Sequence, residues 1–195
     1  MKSIIGLDIS ITSPGVCILS PGSMVLYSYT DHMTKKQDFV LESIGNTMVI
    51  AKKQKIPEGC DGFERIMYIV DRVIRDIQID ADGAKFFFEG YAMGAKGRIF
   101  DIAEITSLFK ARVYQLGHRV DGIYAPMTVK KEIWGKGNMN KEEIFEKAKD
   151  NETLGPVLRH LETKGLTLKN AKWIMDMVDA WSVAQVGIKE TTKEE

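Results

Sequence analysis

The order in which strand-like and helix-like patterns follow one another constrains the fold of this chain most strongly. Three short apolar runs, residues 3–9, 16–19 and 24–29, are separated by the turn signals Ser13-Pro14-Gly15 and Pro21-Gly22. Two short turns between three strands predict an antiparallel meander. The amino-terminal part of the chain is therefore expected to begin a sheet.

Helical periodicity then alternates with two further strand patterns. Apolar residues recur at three- and four-residue steps from Phe63 to Ile77, which predicts an amphipathic helix, and residues 85–89 predict a fourth strand. A second helix is expected over residues 99–116 with Gly117 as its C-cap. Residues 119–124 predict the fifth strand.

The remaining segments predict fewer regular elements. Asn140, with Glu143 three residues later, is typical of a capping box at the start of a helix, and the last helix is expected from about Asn170 to Val186. A Gly- and Lys-rich connection is expected before Asn140. Residues 150–169, which contain Gly155, Pro156 and Gly165, are expected to form a loop, and the polar residues 31–60 predict no element.

The resulting order, β-β-β-α-β-α-β-α, predicts an α/β fold with a mixed five-stranded sheet flanked by helices. A chain of 195 residues is sufficient for one compact domain. We expect this domain to cover residues 1–188 and the polar tail 189–195 to be disordered. The order is that of the RNase H fold, but a fold by itself does not determine an activity.

Four carboxylates occupy positions where this fold would bring them together. Asp8 ends the first strand and Glu89 ends the fourth, and the carboxyl ends of parallel strands meet at one edge of a sheet, where sites are commonly built. Asp176 and Asp179 lie three residues apart on the last helix, so they share a face that is otherwise apolar. Acidic residues beside a core-facing stripe are costly unless something pairs with them.

These carboxylates are metal ligands by residue type. Oxygen ligands without a neighbouring His or Cys select Mg²⁺ or Mn²⁺ over zinc. Two such ions per site, about 3.5–4 Å apart, can clamp a phosphodiester. Taken one by one, however, each residue has a simpler reading: Asp8 as a turn residue, Glu89 as a loop residue, and Asp176 with Asp179 as a solvated helix edge.

Composition and residue spacing exclude several other classes of protein. The two cysteines and three histidines lack zinc-site spacing. The amino terminus does not resemble a signal peptide and no apolar stretch is long enough to span a membrane, so a cytoplasmic protein is expected. Lys plus Arg and Asp plus Glu both number 27, so the net charge gives no support for nucleic-acid binding, which must rest on local clusters.

Four sequence blocks resemble the RuvC-type Holliday junction resolvases of the RNase H-like superfamily, including phage and viral members. The blocks are IIGLDISITSPGVCIL, FFFEGYAMGAKG, YAPMTVKKEIWGKGNMNKEEI and IMDMVDAWSVA. They follow one another in family order and span most of residues 1–187. The third block is the most specific, since generic RNase H-like nucleases lack its lysine pattern. A phage-encoded member would act in the host cytoplasm.

The resemblance implies a function for particular residues. It implies metal ligands at Asp8, Glu89, Asp176 and Asp179, and catalytic or phosphate-contacting lysines at Lys130 and Lys141. By residue type alone, a solvated loop would explain Lys130, and Lys141 could be an ordinary first-turn residue.

The resemblance also implies contacts with branched DNA and a dimer. The DNA-binding candidates are Tyr91, Met93, Lys96, Arg98, Lys130, Lys131, Lys136 and Lys141. Either Tyr91 or Met93 would be the apolar residue that enters the junction centre, because Ala92 stands where well-known bacterial members have an aromatic residue. A junction has near two-fold symmetry, so an isologous homodimer is expected.

The expected activity is therefore metal-dependent resolution of four-way or related branched DNA by symmetric nicks that leave 5′-phosphates. Three alternatives stay open from the residues. One is a nuclease of the same fold acting on flaps or RNA–DNA hybrids, and another is a non-catalytic branched-DNA-binding module. The third is half of an actin-like ATPase or sugar kinase, which the length of the chain disfavours.

Overall fold

A computed structural model describes residues 2–30, 33, 39–77, 83–91 and 99–194, whose strands form one mixed sheet of seven strands. The strands are β1 (Ile4–Asp8), β2 (Gly15–Ser20), β3 (Ser23–Thr30), β4 (Phe39–Ile44), β5 (Thr47–Lys53), β6 (Lys85–Glu89) and β7 (Val120–Tyr124). The helices are α1 (Gly62–Ile77), α2 (Ile99–Gln115), α3 (Pro126–Trp134), α4 (Lys141–Asp150), α5 (Leu154–Thr163) and α6 (Trp173–Glu194).

The strand order is β4-β5-β3-β2-β1-β6-β7. Strands β1, β2 and β3 form the expected antiparallel meander, β6 and β7 continue it in parallel with β1, and β5 runs parallel to β3. Strands β1, β3, β5, β6 and β7 therefore point the same way. Their carboxyl ends meet at one side of the sheet, which we call the carboxyl edge.

The α/β class and the five expected strands are confirmed, but the sheet has seven strands because residues 31–60 contribute β4 and β5. These two strands form a hairpin around Gly45 and Asn46, with Gly45 at a φ of 56°. Gly-Asn is a recognised two-residue hairpin turn. Val49 and Ala51 of β5 are fully buried. They form an apolar alternation typical of a strand, which is hard to recognise in the sequence because lysines follow it.

Two expected connections are helices. In α3, Pro126 lies in the first turn, where a missing N–H is tolerated, and Gly135 ends the helix in the left-handed region at a φ of 92°. In α5, the glycine and proline lie in the first turn, and the buried face recurs at helical spacing. That face comprises Leu154, Val157, Leu158 and Leu161.

The last helix is longer than expected at its carboxyl end. Helix α6 continues to Glu194, beyond the expected end at Val186, and so includes residues 189–194 of the polar tail, whose expected disorder stays a prediction. Lys189 donates a hydrogen bond to the carbonyl of Glu132 at 2.7 Å, and Lys193 pairs with Glu190 at 3.0 Å. These polar contacts extend the helix beyond its apolar face.

Each face of the sheet carries its own apolar core. Helices α1 and α2 cover one face and α3 to α6 cover the other. Because successive strand residues point to opposite faces, Ile5 and Leu7 of β1 pack towards α1 and α2, whereas Ile4 packs on the α6 side. Gly6 and Asp8, in phase with Ile4, share the α6 side.

Glycines on the sheet allow α6 to approach very closely. A methyl group on Gly6 would collide with backbone atoms of Ala180 and Ala184, and one on Gly15 would collide with the backbone carbonyl of Asp176. Larger side chains at these two glycines would therefore push the helix away. This contact sets the distance between α6 and the ends of β1 and β2.

Candidate active site

Asp8 and Glu89 are the last residues of two adjacent parallel strands. The register pairs Leu7 of β1 with Phe88 of β6, so the residues that follow lie side by side at the carboxyl edge. Phe87 packs on the α6 side of the sheet, and Glu89, two residues later, projects to that side as Asp8 does. Strand periodicity thus directs both carboxylates towards α6.

Helix α6 supplies the other two carboxylates from its first turns. Asp176 lies directly over Gly15 of β2, and Asp179 is one turn further on. The hydroxyl groups of Ser13 and Ser28 both donate hydrogen bonds to the Asp176 carboxylate, the latter at 3.3 Å. The side chain of Asp176 is therefore oriented by the loop before β2 and by β3.

The four side chains are partly buried, and burial is the main cause of their raised pKa values. It raises the pKa of Glu89 to about 7 and that of Asp176 to about 6. The pKa of Asp8 is raised well above its usual range, first by burial and then by the negative charges of the other three carboxylates. Their effect on Asp8 places all four in one electrostatic cluster.

Two lysines supply positive charge to this cluster. Lys141 lowers the pKa values of Glu89, Asp176 and Asp179 against the effect of burial, and Lys130 does so for Glu89 and Asp179. Lys130 lies on α3 and Lys141 is the first residue of α4. The structure therefore brings together the four predicted carboxylates and two of the predicted lysines, although their roles stay predictions.

The positions of these lysines depend on how α3 and α4 are held. The indole N–H of Trp134 donates to the hydroxyl of Ser182 on α6 at 3.1 Å, which ties α3 to α6. Lys130 donates to the carbonyl of Met139 at 3.1 Å, just before α4. The expected capping box of Asn140 and Glu143 is present at the start of α4.

The chemistry of the donor set fits a hard divalent cation. All four side chains offer carboxylate oxygens, and their mutual repulsion in a partly buried site is relieved by positive charge. Within the described ranges, no three acidic, His or Cys side chains already surround one point as a ligand set. After burial, the negative charge of Glu89 is the largest cause of the raised pKa of Asp8, and a cation between the two carboxylates would relieve this repulsion.

The other predicted DNA-binding residues divide into two groups. Tyr91 is exposed just beyond β6, and Lys131 and Lys136 are exposed on α3 and in the loop after it. Met93, Lys96 and Arg98 lie outside the residues that the structure describes. The predicted roles of these residues in DNA binding therefore stay predictions.

Ser13 and Ser28 are site residues that the sequence patterns did not indicate. Ser13 belongs to a Ser-Pro-Gly turn signal, which accounts for it without any role in the site. Ser28 is a polar residue within a strand and is fully buried. A buried polar residue in phase with the apolar residues of its strand requires a hydrogen-bond partner, and this was the available signal.

Comparison with known proteins supports the fold. No known protein family and no curated protein matches the sequence. Among solved structures, the RuvC protein of Thermus thermophilus is similar at a TM-score of 0.52 and 15% identity, with 93% of this chain and 90% of that chain covered. The same protein in complex with a Holliday junction substrate is similar at a TM-score of 0.55 and 16% identity, with coverages of 94% and 91%.

These similarities establish a RuvC-like, RNase H-like fold over almost the whole chain. At 15–16% identity they concern the fold and not the activity. Among the described residues, no helix is both long and apolar enough to cross a membrane.

Proposed function

We propose that the protein is a metal-dependent endonuclease that hydrolyses phosphodiester bonds in branched DNA, with the four-way junction as its main substrate. One observation carries the proposal: carboxylates from β1, β6 and α6 converge with Lys130 and Lys141 at the carboxyl edge of the sheet. Chain segments far apart in sequence contribute to this cluster. Such convergence would not be required if Asp8 were only a turn residue or if Asp176 and Asp179 lay on a solvated helix edge.

Asp8, Glu89, Asp176 and Asp179 would hold Mg²⁺ or Mn²⁺, two ions per site. When bound, such ions activate water and neutralise the charge that develops on the phosphate. Asp8 and Glu89 would contribute from the rigid sheet, and Asp179 from α6. Ser13 and Ser28 both donate to Oδ2 of Asp176, so Oδ1 is the oxygen of this residue that would bind a metal.

Lys130 and Lys141 would bind the scissile phosphate. Both lie close enough to the carboxylates to affect their pKa values. An ammonium group is a compact charge that can stabilise negative charge on a phosphate oxygen. The hydrogen bond from Lys130 to the Met139 carbonyl limits where that ammonium can move.

Branched DNA is the favoured substrate for two reasons. The lysine block 129–141 resembles that of junction resolvases, and a structure of similar fold is described in complex with a Holliday junction. A homodimer with two-fold symmetry would present two equivalent sites to a junction of near two-fold symmetry, and would nick two strands symmetrically to leave 5′-phosphates.

The substrate is tested by incubating the protein with labelled four-way junction, flap, RNA–DNA hybrid and linear duplex, each with Mg²⁺, Mn²⁺ or EDTA. We expect paired, metal-dependent nicks in the junction. Faster cleavage of the flap or hybrid would show that the four-way junction is not the main substrate, but it would still support nuclease activity. Tight binding of the junction without cleavage under any metal condition would favour a non-catalytic binding module.

The site is tested by substitutions. Asp179→Asn and Glu89→Gln are expected to reduce cleavage to background, and Lys130→Ala to reduce the single-turnover rate about 100-fold. Asp150→Asn, on the exposed end of α4, and Lys110→Ala, on α2 across the sheet, are matched controls. Wild-type rates in Asp179→Asn and Glu89→Gln would disprove the assigned site.

A further inference from the structure

A second group of cations surrounds a cavity that the carboxylate site does not use. The cavity measures about 550 Å³ and lies between the end of β5 and α1. Five basic and two acidic side chains line it together with Tyr68: Lys52, Lys53, Lys55, Arg72, Arg75, Asp71 and Asp76. Since the formal net charge of the chain is zero, this is a local concentration of positive charge.

The two acidic residues of this cavity already have partners. Asp76 accepts hydrogen bonds from the ammonium group of Lys52 at 2.7 Å and from the hydroxyl of Tyr29 at 2.8 Å. Asp71 pairs at 2.7 Å with Arg112, which comes from α2 and does not line the cavity. With five basic and two acidic side chains, the lining itself carries a net positive charge.

Aromatic rings and a backbone carbonyl hold part of the basic wall in place. Arg72 donates to the carbonyl of Lys53 at 3.0 Å, and its guanidinium lies 5.9 Å from the ring centre of Tyr29. The ammonium group of Lys52 lies 5.6 Å from the ring centre of Tyr27. Cations positioned before a ligand arrives lose less conformational entropy when it binds.

The sheet places this cavity at the same edge as the carboxylates. Lys52 and Lys53 end β5, which points the same way as β1 and β6, so they lie at the carboxyl edge with Asp8 and Glu89. Strand β5 is three positions from β1, roughly 14 Å at about 4.8 Å per strand. The cavity lies on the α1 face of the sheet and the carboxylates project to the α6 face, so a polymer that passes over this edge can reach both sites.

We propose that this cavity binds a backbone phosphate of the DNA at a distance from the bond that is cut, and so anchors one arm of the substrate. Arginine and lysine are the side chains that bind phosphate oxygens, and contacts of this kind position a duplex without reading its sequence. The identity of the polymer rests on the proposed function. A free phosphate has the same chemistry and is the competing ligand.

The test compares two charge reversals in the full-length protein, Arg75→Glu in the cavity and Arg119→Glu as control. Both arginines are exposed, but Arg119 precedes β7 and so lies at the opposite edge of the sheet. Dissociation constants for labelled junction and linear duplex are measured in EDTA over a range of salt concentrations. Arg75→Glu is expected to raise Kd about tenfold and to lower the salt-dependence slope by about one, with Arg119→Glu unchanged.

Wild-type Kd and slope in Arg75→Glu would overturn the proposal. Arg75→Gln, which removes the charge without reversing it, should give an intermediate Kd, and circular dichroism checks folding of both variants. If Arg75→Glu binds DNA weakly and the wild type cleaves no DNA, the proposed nuclease function is wrong but the proposed phosphate-binding cavity is supported. If the wild type cleaves the junction and Arg75→Glu binds normally, the anchor alone fails.

Inorganic phosphate distinguishes the two ligands. At constant ionic strength, we expect it to compete with DNA in the wild type at millimolar concentrations and above. Submicromolar binding of phosphate that is lost in Arg75→Glu, with DNA affinity unchanged, would overturn the DNA anchor in favour of a free-phosphate site.

Discussion

At the scale of single residues, the site depends on what surrounds each carboxylate. Asp176 is held by the hydroxyls of Ser13 and Ser28, whereas Asp8 lies beside Glu89, whose negative charge adds to burial in raising the pKa of Asp8. Burial raises the pKa of all four acids, so each carboxylate is kept at a cost to the fold. Groups that orient such carboxylates are therefore as much part of the site as the acids themselves.

Ser13→Ala is expected to reduce cleavage about tenfold and to raise the Mg²⁺ concentration required for half-maximal rate, because it removes one of the two hydroxyl groups that hold the Asp176 carboxylate. Cleavage rates over a Mg²⁺ titration measure both effects. Ser107→Ala is the control, since its exposed hydroxyl donates to the Ala103 carbonyl one turn earlier on α2, which covers the opposite face of the sheet. Equal metal requirements in the two variants would show that the Ser13 hydroxyl does not orient Asp176 for metal binding.

At the scale of elements, the position of α6 against the sheet brings the site together. The helix carries two of the carboxylates, and its backbone lies against Gly6 and Gly15 of the first two strands. A second contact, between β4 and α5, fixes the added hairpin: His160 lies 2.9 Å from Glu42, and Lys164 lies 3.8 Å from it.

Gly6→Ala is expected to reduce the free energy of unfolding by about 1–3 kcal/mol, because the new methyl group overlaps the α6 backbone. Displacement of α6 should also impair cleavage. Denaturant unfolding and a cleavage assay measure the two effects. In Gly62→Ala the added methyl group meets open space at the start of α1, so stability should be unchanged or slightly increased. Equal stabilities of the two variants would contradict the close contact.

The contact between Glu42 and His160 is expected to make stability depend on pH. The hydrogen bond with His160 holds the pKa of Glu42 below its usual range. The contact therefore stabilises the fold above the unfolded-state pKa, and this contribution is lost as the pH falls through the folded-state value. Glu42→Gln should lower the free energy of unfolding by less than about 1 kcal/mol near neutral pH and should not change it in acid.

Urea unfolding of wild type and Glu42→Gln over a pH series measures this difference. Glu58→Gln, an exposed substitution in the loop before α1, is the control. A difference between wild type and Glu42→Gln that grows on acidification would contradict the assigned contact.

At the scale of the whole molecule, stability and function oppose each other at the carboxyl edge. Four acidic groups are gathered where burial and mutual repulsion disfavour their charged forms. The cores on the two faces of the sheet must offset this cost. A cation that binds the folded state and not the unfolded chain would recover part of it.

Asp179→Asn is therefore expected to raise the metal-free Tm by about 3 °C, since it removes one of the repelling charges, while abolishing cleavage. Added Mg²⁺ should raise the Tm of the wild type more than that of the variant. Thermal unfolding followed by circular dichroism, with and without Mg²⁺, measures both, and Asp150→Asn should match the wild type. A lower metal-free Tm in Asp179→Asn would mean that its interactions with Lys130 and Lys141 outweigh the repulsion.

Local patterns were sufficient to predict much of the fold. The turns after Asp8 and Ser20 predicted the meander, helical spacing predicted α1 and α2, and Asn140 with Glu143 predicted the start of α4. These features are decided within a few residues of chain, by turn conformation, apolar period and capping. The α/β class follows from their order.

Segments with mixed local signals were missed, although their apolar periodicity was present. Helix α5 carries a glycine and a proline in its first turn, β5 ends among lysines, and the end of α6 is polar. Such segments are regular because of long-range contacts, such as Lys189 with the Glu132 carbonyl or β5 with β3. Tertiary packing overrides weak local preference in these places.

The four carboxylates could be identified by residue type and position at strand ends and on one helix face. The convergence of Glu89 and Asp179 with Lys130 and Lys141 joins residues at least 38 positions apart, and the hydroxyls that hold Asp176 come from residues 163 and 148 positions away. The distances in space between these groups are set when α6 packs against Gly6 and Gly15 and when Trp134 of α3 bonds to α6. The sequence alone determined the kinds of groups that the site contains, whereas only the tertiary structure decided which of them meet, because that depends on packing between distant segments.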